Sequence, residues 1–146
     1  MDSYSEFLFD RVNRHSGFAV HNHIRITKIE PDHAEGELEV TPESLNPLGS
    51  VHGGALAALA DTTAGTAIYV QGRVCVTLNC SLNYLRPAGG SVIKCTADLR
   101  KMGHTIAVCD VVLTDDQDRQ VATGCFTFFR KEEYVPEFQN RTSLEK

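Results

Sequence analysis

Two features of this 146-residue chain have residue types and spacing suited to chemistry: an acid at Asp61 and a glycine pair at Gly53-Gly54. Asp61 falls in the Ala- and Leu-rich run from His52 to Tyr69, among Leu59, Ala60 and Ala64, with no Lys or Arg within a turn of it. Asp is a poor helix former, and a carboxylate in such surroundings is costly without a partner or a purpose. It is either hydrogen-bonded to Thr62, Thr63 or a sheet side chain, or it acts as a nucleophile or general base. The glycines close the turn-rich segment Asn46-Pro47-Leu48-Gly49-Ser50-Val51-His52 and open that same run. The first N–H groups of a helix lack internal partners and lie at its positive end, so they suit a carbonyl oxygen that becomes an oxyanion. The alternative is that Gly53-Gly54 only permits close packing of helix on sheet.

Gly53 and Asp61 are eight residues apart, which along a helix is a rise of about 12 Å. A base and an oxyanion donor must converge within about 3 Å of one reacting centre. Either only one of these features is catalytic, or Asp61 of a second subunit completes the site of the first. The spacing favours the composite dimer site.

The elements that position these residues are legible from periodicity. Ser3 and Glu6 resemble a capping box, and Tyr4, Phe7, Leu8 and Val12 recur at helical spacing, so residues 3–15 read as an amphipathic helix ended by Gly17. Strands are expected at 23–30 and 34–41, joined by Pro31-Asp32. The run 52–69 is apolar around its whole circumference, the mark of a buried helix, and its many alanines let a sheet approach closely. Val74, Val76, Leu78, Cys80, Leu82 and Tyr84 alternate as a strand with one buried face, and runs at 91–101, 104–114 and 119–130 follow, joined by short turns. The fold class is α+β: an N-terminal helix in 1–20, a curved antiparallel sheet around one long helix in 21–132, and a polar, irregular tail in 133–146.

Composition limits the function classes. With 42% hydrophobic and 23% charged residues the chain suits one domain, and the net charge of −5 lacks the cation density a nucleic-acid binder needs. No apolar run of about 18 residues and no basic leader precede the first helix, so a cytoplasmic protein without membrane contact is expected. The five cysteines have no CxxC spacing, fall in expected strands and read as small buried hydrophobes with free thiols. Only His21-x-His23 could set two imidazoles on one strand face, with no third ligand in view, so no metal and no cofactor are expected.

Asn46-Pro47-x-Gly49-x-x-His52-Gly53-Gly54, followed by Leu59-Ala60-Asp61, closely resembles the hotdog-fold acyl-CoA thioesterases of the phenylacetyl-CoA and 4-hydroxybenzoyl-CoA type. The likeness extends over residues 20–130, through Asn83-Tyr84-Leu85-Arg86-Pro87 and Lys101-Met102-Gly103-His104. It implies a hotdog domain that forms dimers or dimers of dimers and hydrolyses aryl- or short- and medium-chain acyl-CoA at the subunit interface. By the same resemblance Gly53 polarises the thioester carbonyl, Asn46 positions water or substrate, His52 supports the loop, and Asp61 of the partner subunit attacks or activates water with help from Thr77. Gly54, Arg86, Lys101, Gly103 and His104 would bind substrate, with Arg86 foremost and Arg100 also near the strand ends for the CoA phosphates; His104 stands where relatives often carry Arg. A noncatalytic acyl-CoA binding or sensing protein is the alternative, and a hotdog dehydratase is a further rival whose Asp/His motif is not found.

Overall fold

The computed structural model describes residues 1–15 and 17–144. Helix α1 (Ser3–His15) and a short helix α2 (Gly17–His21) precede strands β1 (Ile24–Glu30) and β2 (His33–Glu39). A loop with one 3-10 turn leads into helix α3 (Gly53–Tyr69), followed by β3 (Arg73–Tyr84), β4 (Val92–Met102), β5 (Ile106–Thr114), β6 (Gln120–Tyr134) and helix α4 (Pro136–Leu144). The strands form one antiparallel sheet in the order β1-β2-β4-β5-β6-β3. This is the hotdog architecture expected from the sequence, a sheet wrapped around α3. Among the described residues no helix is long and apolar enough to cross a membrane.

The small residues of α3 explain how close the sheet comes. Leu59, Ala60, Ala64, Ala67 and Ile68 are buried against Leu38, Ile93, Leu113 and Phe126. At the crossing with β2, a Cβ placed on Gly36 would lie 2.5 Å from Thr63 Oγ1, so only glycine admits the helix there. The buried Thr63 and Thr66 hydroxyls donate to the carbonyls of Leu59 and Thr62, each at 2.8 Å, so neither is orphaned in the core.

Four expectations are corrected. Gly17 opens α2 and does not simply end α1. His21 ends α2 while His23 precedes β1 with φ 58°, so the two imidazoles do not share a strand face. The tail is not irregular: α4 packs Phe138 edge-on against Tyr4 at 4.9 Å and parallel to Tyr134 at 5.8 Å, and only residues 145–146 of it lie outside the described residues. The alternation read in β3 does not give one buried face. A β-bulge at Leu78, between the pairs Thr77–Phe128 and Asn79–Thr127, switches the faces, so Thr77 and Cys80 both lie opposite buried phenylalanines of β6. Val76 and Leu78 are left 44% and 55% exposed on an edge strand, and Cys80 is exposed too, unlike the buried Cys75, Cys95 and Cys109. Burial pushes those three thiols up to about 12, which makes them inert packing groups.

Candidate active site

The loop before α3 is held by its own polar groups. Asn46 Oδ1 accepts from the N–H groups of Leu48 and Ser50 at 3.0 and 3.1 Å, and Val51 N–H donates to Ala88 O at 2.8 Å. The Asn46 carboxamide oxygen is therefore a loop brace, with its NH2 left to meet water or substrate. His52 caps the helix: its Nδ1 accepts from Gly54 N–H at 2.8 Å and its carbonyl accepts from Ala55 and Leu56. Of the first four N–H groups of α3, that of Gly53 alone has no partner among the described residues. It is half-exposed and stands at the positive end of a 17-residue helix. Gly54 N–H is occupied by His52, so Gly54 offers an exposed surface without a side chain instead of a second donor. Tyr84, which the sequence placed in the strand alternation and in the Asn83–Pro87 segment without assigning it a role, lies beside this point and donates its hydroxyl to Gly53 O at 3.1 Å.

Asp61 sits two turns further along α3, partly exposed and facing the start of β3. Thr77 Oγ1 donates to Asp61 Oδ1 at 2.7 Å, so the carboxylate is paired across to the sheet rather than within its helix. Together with Thr62, Gly65, Thr66 and Phe128 the pair lines a recess of about 340 Å³. Within one chain Asp61 and Gly53 thus face different segments of β3, Asp61 at Thr77 and Gly53 at Tyr84, seven strand residues or roughly 23 Å apart. The structure brings Thr77 to Asp61, and His52 and Tyr84 to Gly53, but does not bring the two groups together in a single chain.

The expected phosphate ligands divide in the same way. Arg86 is exposed just beyond the Tyr84 end of β3, with no ion pair among the described residues. Lys101 at the end of β4, with Gly103 and His104 in the turn to β5, lies at the opposite end, where the turn meets Arg73: Arg73 Nη1 donates to His104 O at 2.7 Å. His104 Nε2 is 2.7 Å from Glu132, and Arg100 is 3.6 Å from Asp110, which partly neutralises both. The sequence reading missed Arg73 and Arg130 behind this turn. Arg73 is buried and donates to the carbonyls of Lys131, His104 and Arg130, while Arg130 Nη1 holds Gly103 O at 2.6 Å. Burial first, then the charge of Arg73, hold Arg130 below its ordinary value, and its buried Nε has no partner among the described residues. Their only sequence signal is a basic residue inside an otherwise apolar strand.

Residues 48–122 match the thioesterase superfamily, and the chain belongs to that family. Among its relatives, the acyl-coenzyme A thioesterase PaaI of Escherichia coli strain K12 is 34% identical over 100 residues, spanning 68% of this chain and 71% of that protein. The solved structure of the E. coli PaaI protein from the phenylacetic acid degradation operon superposes with a TM-score of 0.83 at 27% identity, covering 91% of this chain and 98% of that one. A hypothetical thioesterase from Streptococcus pneumoniae TIGR4, solved with coenzyme A, superposes with a TM-score of 0.75 at 30% identity over 80% of this chain and 94% of that one.

Proposed function

We propose that the protein is an acyl-CoA thioesterase whose site is completed by a second copy of the chain, as a homodimer or a homotetramer built from such dimers, acting in the cytoplasm. The observation that carries this reading is the separation on α3 of an unpartnered Gly53 N–H from the Asp61–Thr77 pair, about 12 Å away along the helix. Strand β3 is an unpaired edge with exposed apolar side chains, an arrangement that invites pairing with another copy. An antiparallel pairing of two β3 edges reverses one against the other. The Thr77 end of one chain then approaches the Tyr84 end of its partner, carrying Asp61 of the partner subunit toward Gly53. The same reversal moves the basic turn at Lys101–His104 of the partner toward Arg86, uniting two halves of a phosphate-binding surface.

In the reaction, Gly53 N–H polarises the thioester carbonyl and stabilises the oxyanion as the carbonyl carbon becomes tetrahedral. The carboxylate of Asp61 either attacks that carbon, forming an anhydride that water then opens, or removes a proton from an attacking water. CoA leaves as the thiolate in both routes. Thr77, donating to Asp61 Oδ1, orients the carboxylate; Asn46 presents its NH2 to water or substrate, and His52 fixes the turn that aims Gly53. Thiol release from a panel of acyl-CoAs tests the function. Release of CoA supports hydrolysis, loss of substrate without thiol would indicate hydration chemistry, and tight binding without either would indicate a sensor.

A further inference from the structure

A cavity of about 630 Å³ opens beside the first two turns of α3, within the 300–1,000 Å³ typical of small-molecule sites. His52 and Gly54, the residues on either side of Gly53, form part of its wall, so it adjoins the point assigned to the thioester carbonyl. Its floor is Ala55 and Ala58 of α3 with Ile24 and Leu38 of the sheet, and Phe18 and Val20 of α2 stand over it. Phe18 is 65% exposed, an apolar ring at the mouth whose outer face no described residue covers. The polar side is Thr41, Glu43 and Ser44, with His21 and His23 completing the rim.

Three details define the polar side of this wall. Thr41 Oγ1 is buried and makes no hydrogen bond of normal geometry among the described residues, although it faces the Ser44 N–H in the capping box that opens the 3-10 turn, so it can still turn toward a bound polar group. The Glu43 carboxylate close by is held below its ordinary range by its own backbone N–H, with the Thr41 hydroxyl and His23 adding to this, yet no hydrogen bond of normal geometry joins Thr41 to it. His23 keeps a left-handed backbone, φ 58°, that non-glycine residues rarely adopt, and its carbonyl is held by Glu39 N–H at 3.0 Å. That conformation sets its imidazole on the rim where α2 gives way to β1.

The lining also decides which end of the substrate belongs here. It contains no Lys or Arg and does contain a carboxylate, so the phosphates of CoA have no counter-charge in it. Resting on the acyl-CoA thioesterase reading, we propose that this cavity, built within one chain, receives the acyl group, selecting uncharged acyl groups longer than acetyl, with Ala58 setting its depth. Thr41 is then available to a polar group on the acyl chain. Glu43 repels acyl groups that end in a carboxylate.

The test compares wild type, Ala58→Leu, Phe18→Ala and Glu43→Gln against acetyl-, hexanoyl-, phenylacetyl- and glutaryl-CoA. Affinities for free CoA and for non-hydrolysable acetyl- and hexanoyl-length thioether analogues are measured alongside. Ala58→Leu should lower kcat/KM for hexanoyl- and phenylacetyl-CoA at least about tenfold, while acetyl-CoA turnover and CoA affinity stay within about twofold. Phe18→Ala, at a position 65% exposed, should cost the longer acyl groups several-fold more than acetyl. Glutaryl-CoA should be poorer than hexanoyl-CoA in the wild type, and Glu43→Gln should narrow that gap. An unchanged chain-length profile in both cavity variants overturns the proposal. So does a uniform loss that includes CoA affinity, which would place the CoA arm in the cavity. Absence of thiol release by the wild type would refute the hydrolase reading by itself, and the thioether affinities would still decide whether acyl length is read by Ala58.

Discussion

Replacing Asp61 by Asn separates chemistry from structure, because the geometry allows the rest of the site to survive. The Thr77 hydroxyl donates to Asp61 Oδ1 at 2.7 Å, and a carboxamide oxygen can accept that same bond. The change turns a charge-assisted hydrogen bond into a neutral one, a difference of about 1 kcal/mol from typical values. For a chain of this length that corresponds to a Tm lowered by roughly 2–4 °C. Affinity for a thioether analogue of the substrate should stay within a few-fold, since shape is kept. The catalytic loss is different in scale: a removed base or nucleophile typically costs about 10²–10⁴ in rate. Asp61→Asn should therefore lower kcat at least about 100-fold, read by thiol release at saturating substrate, with calorimetry and a thermal melt as controls. Turnover within a few-fold of wild type would remove Asp61 from the mechanism, and loss of folding would show that it is a structural carboxylate.

Three further outcomes follow from the same coordinates. Burial alone would lower the His33 pKa, but its hydrogen bonds to Asp98 and Glu35 outweigh that and hold it above the ordinary 6.5. Its stabilising contribution is present in full below the unfolded value and is lost as pH rises through the folded one, so the Tm advantage of wild type over His33→Ala should shrink between pH 6 and about pH 9; a constant difference would contradict this. Asn46→Ala should lose about 1 kcal/mol for each of the two loop hydrogen bonds its oxygen accepts, whereas Asn46→Asp should keep stability yet slow turnover, and equal rates in Asn46→Asp and wild type would confine Asn46 to bracing the loop. Light scattering should report at least a dimer, and Leu78→Lys on the exposed β3 edge should yield smaller, inactive particles; a stable active monomer would refute the assembly.

Most of the fold was legible because burial leaves a periodic imprint. The run from His52 to Tyr69 is apolar on every side, and the structure buries it inside the sheet. What was not legible depended on contacts remote in sequence. The bulge at Leu78 answers to pairing with Phe128 and Thr127 on β6, so a perfect period of two in β3 hid a change of face. Helix α4 looked like a polar tail because its anchor is one ring, Phe138, set between Tyr4 and Tyr134 from distant parts of the chain. At the site, the motif marked Gly53 and Asp61, but it could not show that His52 consumes the Gly54 N–H or that Tyr84 stands beside Gly53. Nor could it show that Arg86 and the Lys101–His104 turn lie at opposite ends of one chain's sheet.

The central claim, that one carbonyl is served by two chains, is tested by mixing Gly53→Pro subunits with Asp61→Asn subunits. Proline suits the first position of a helix, Gly53 N–H has no internal partner to lose, and His52 already has the extended ψ of 135° that a residue before proline requires. The substitution thus removes the oxyanion donor while keeping the helix. Each variant alone should be nearly inactive. In a mixed dimer one site carries both substitutions and the other pairs an intact Gly53 N–H with an intact Asp61. With random reassortment half the dimers are mixed, so activity should return to about a quarter of the wild-type rate if sites act independently. Mixed dimers confirmed by mass spectrometry of differently tagged chains, yet as inactive as their parents, would contradict the account.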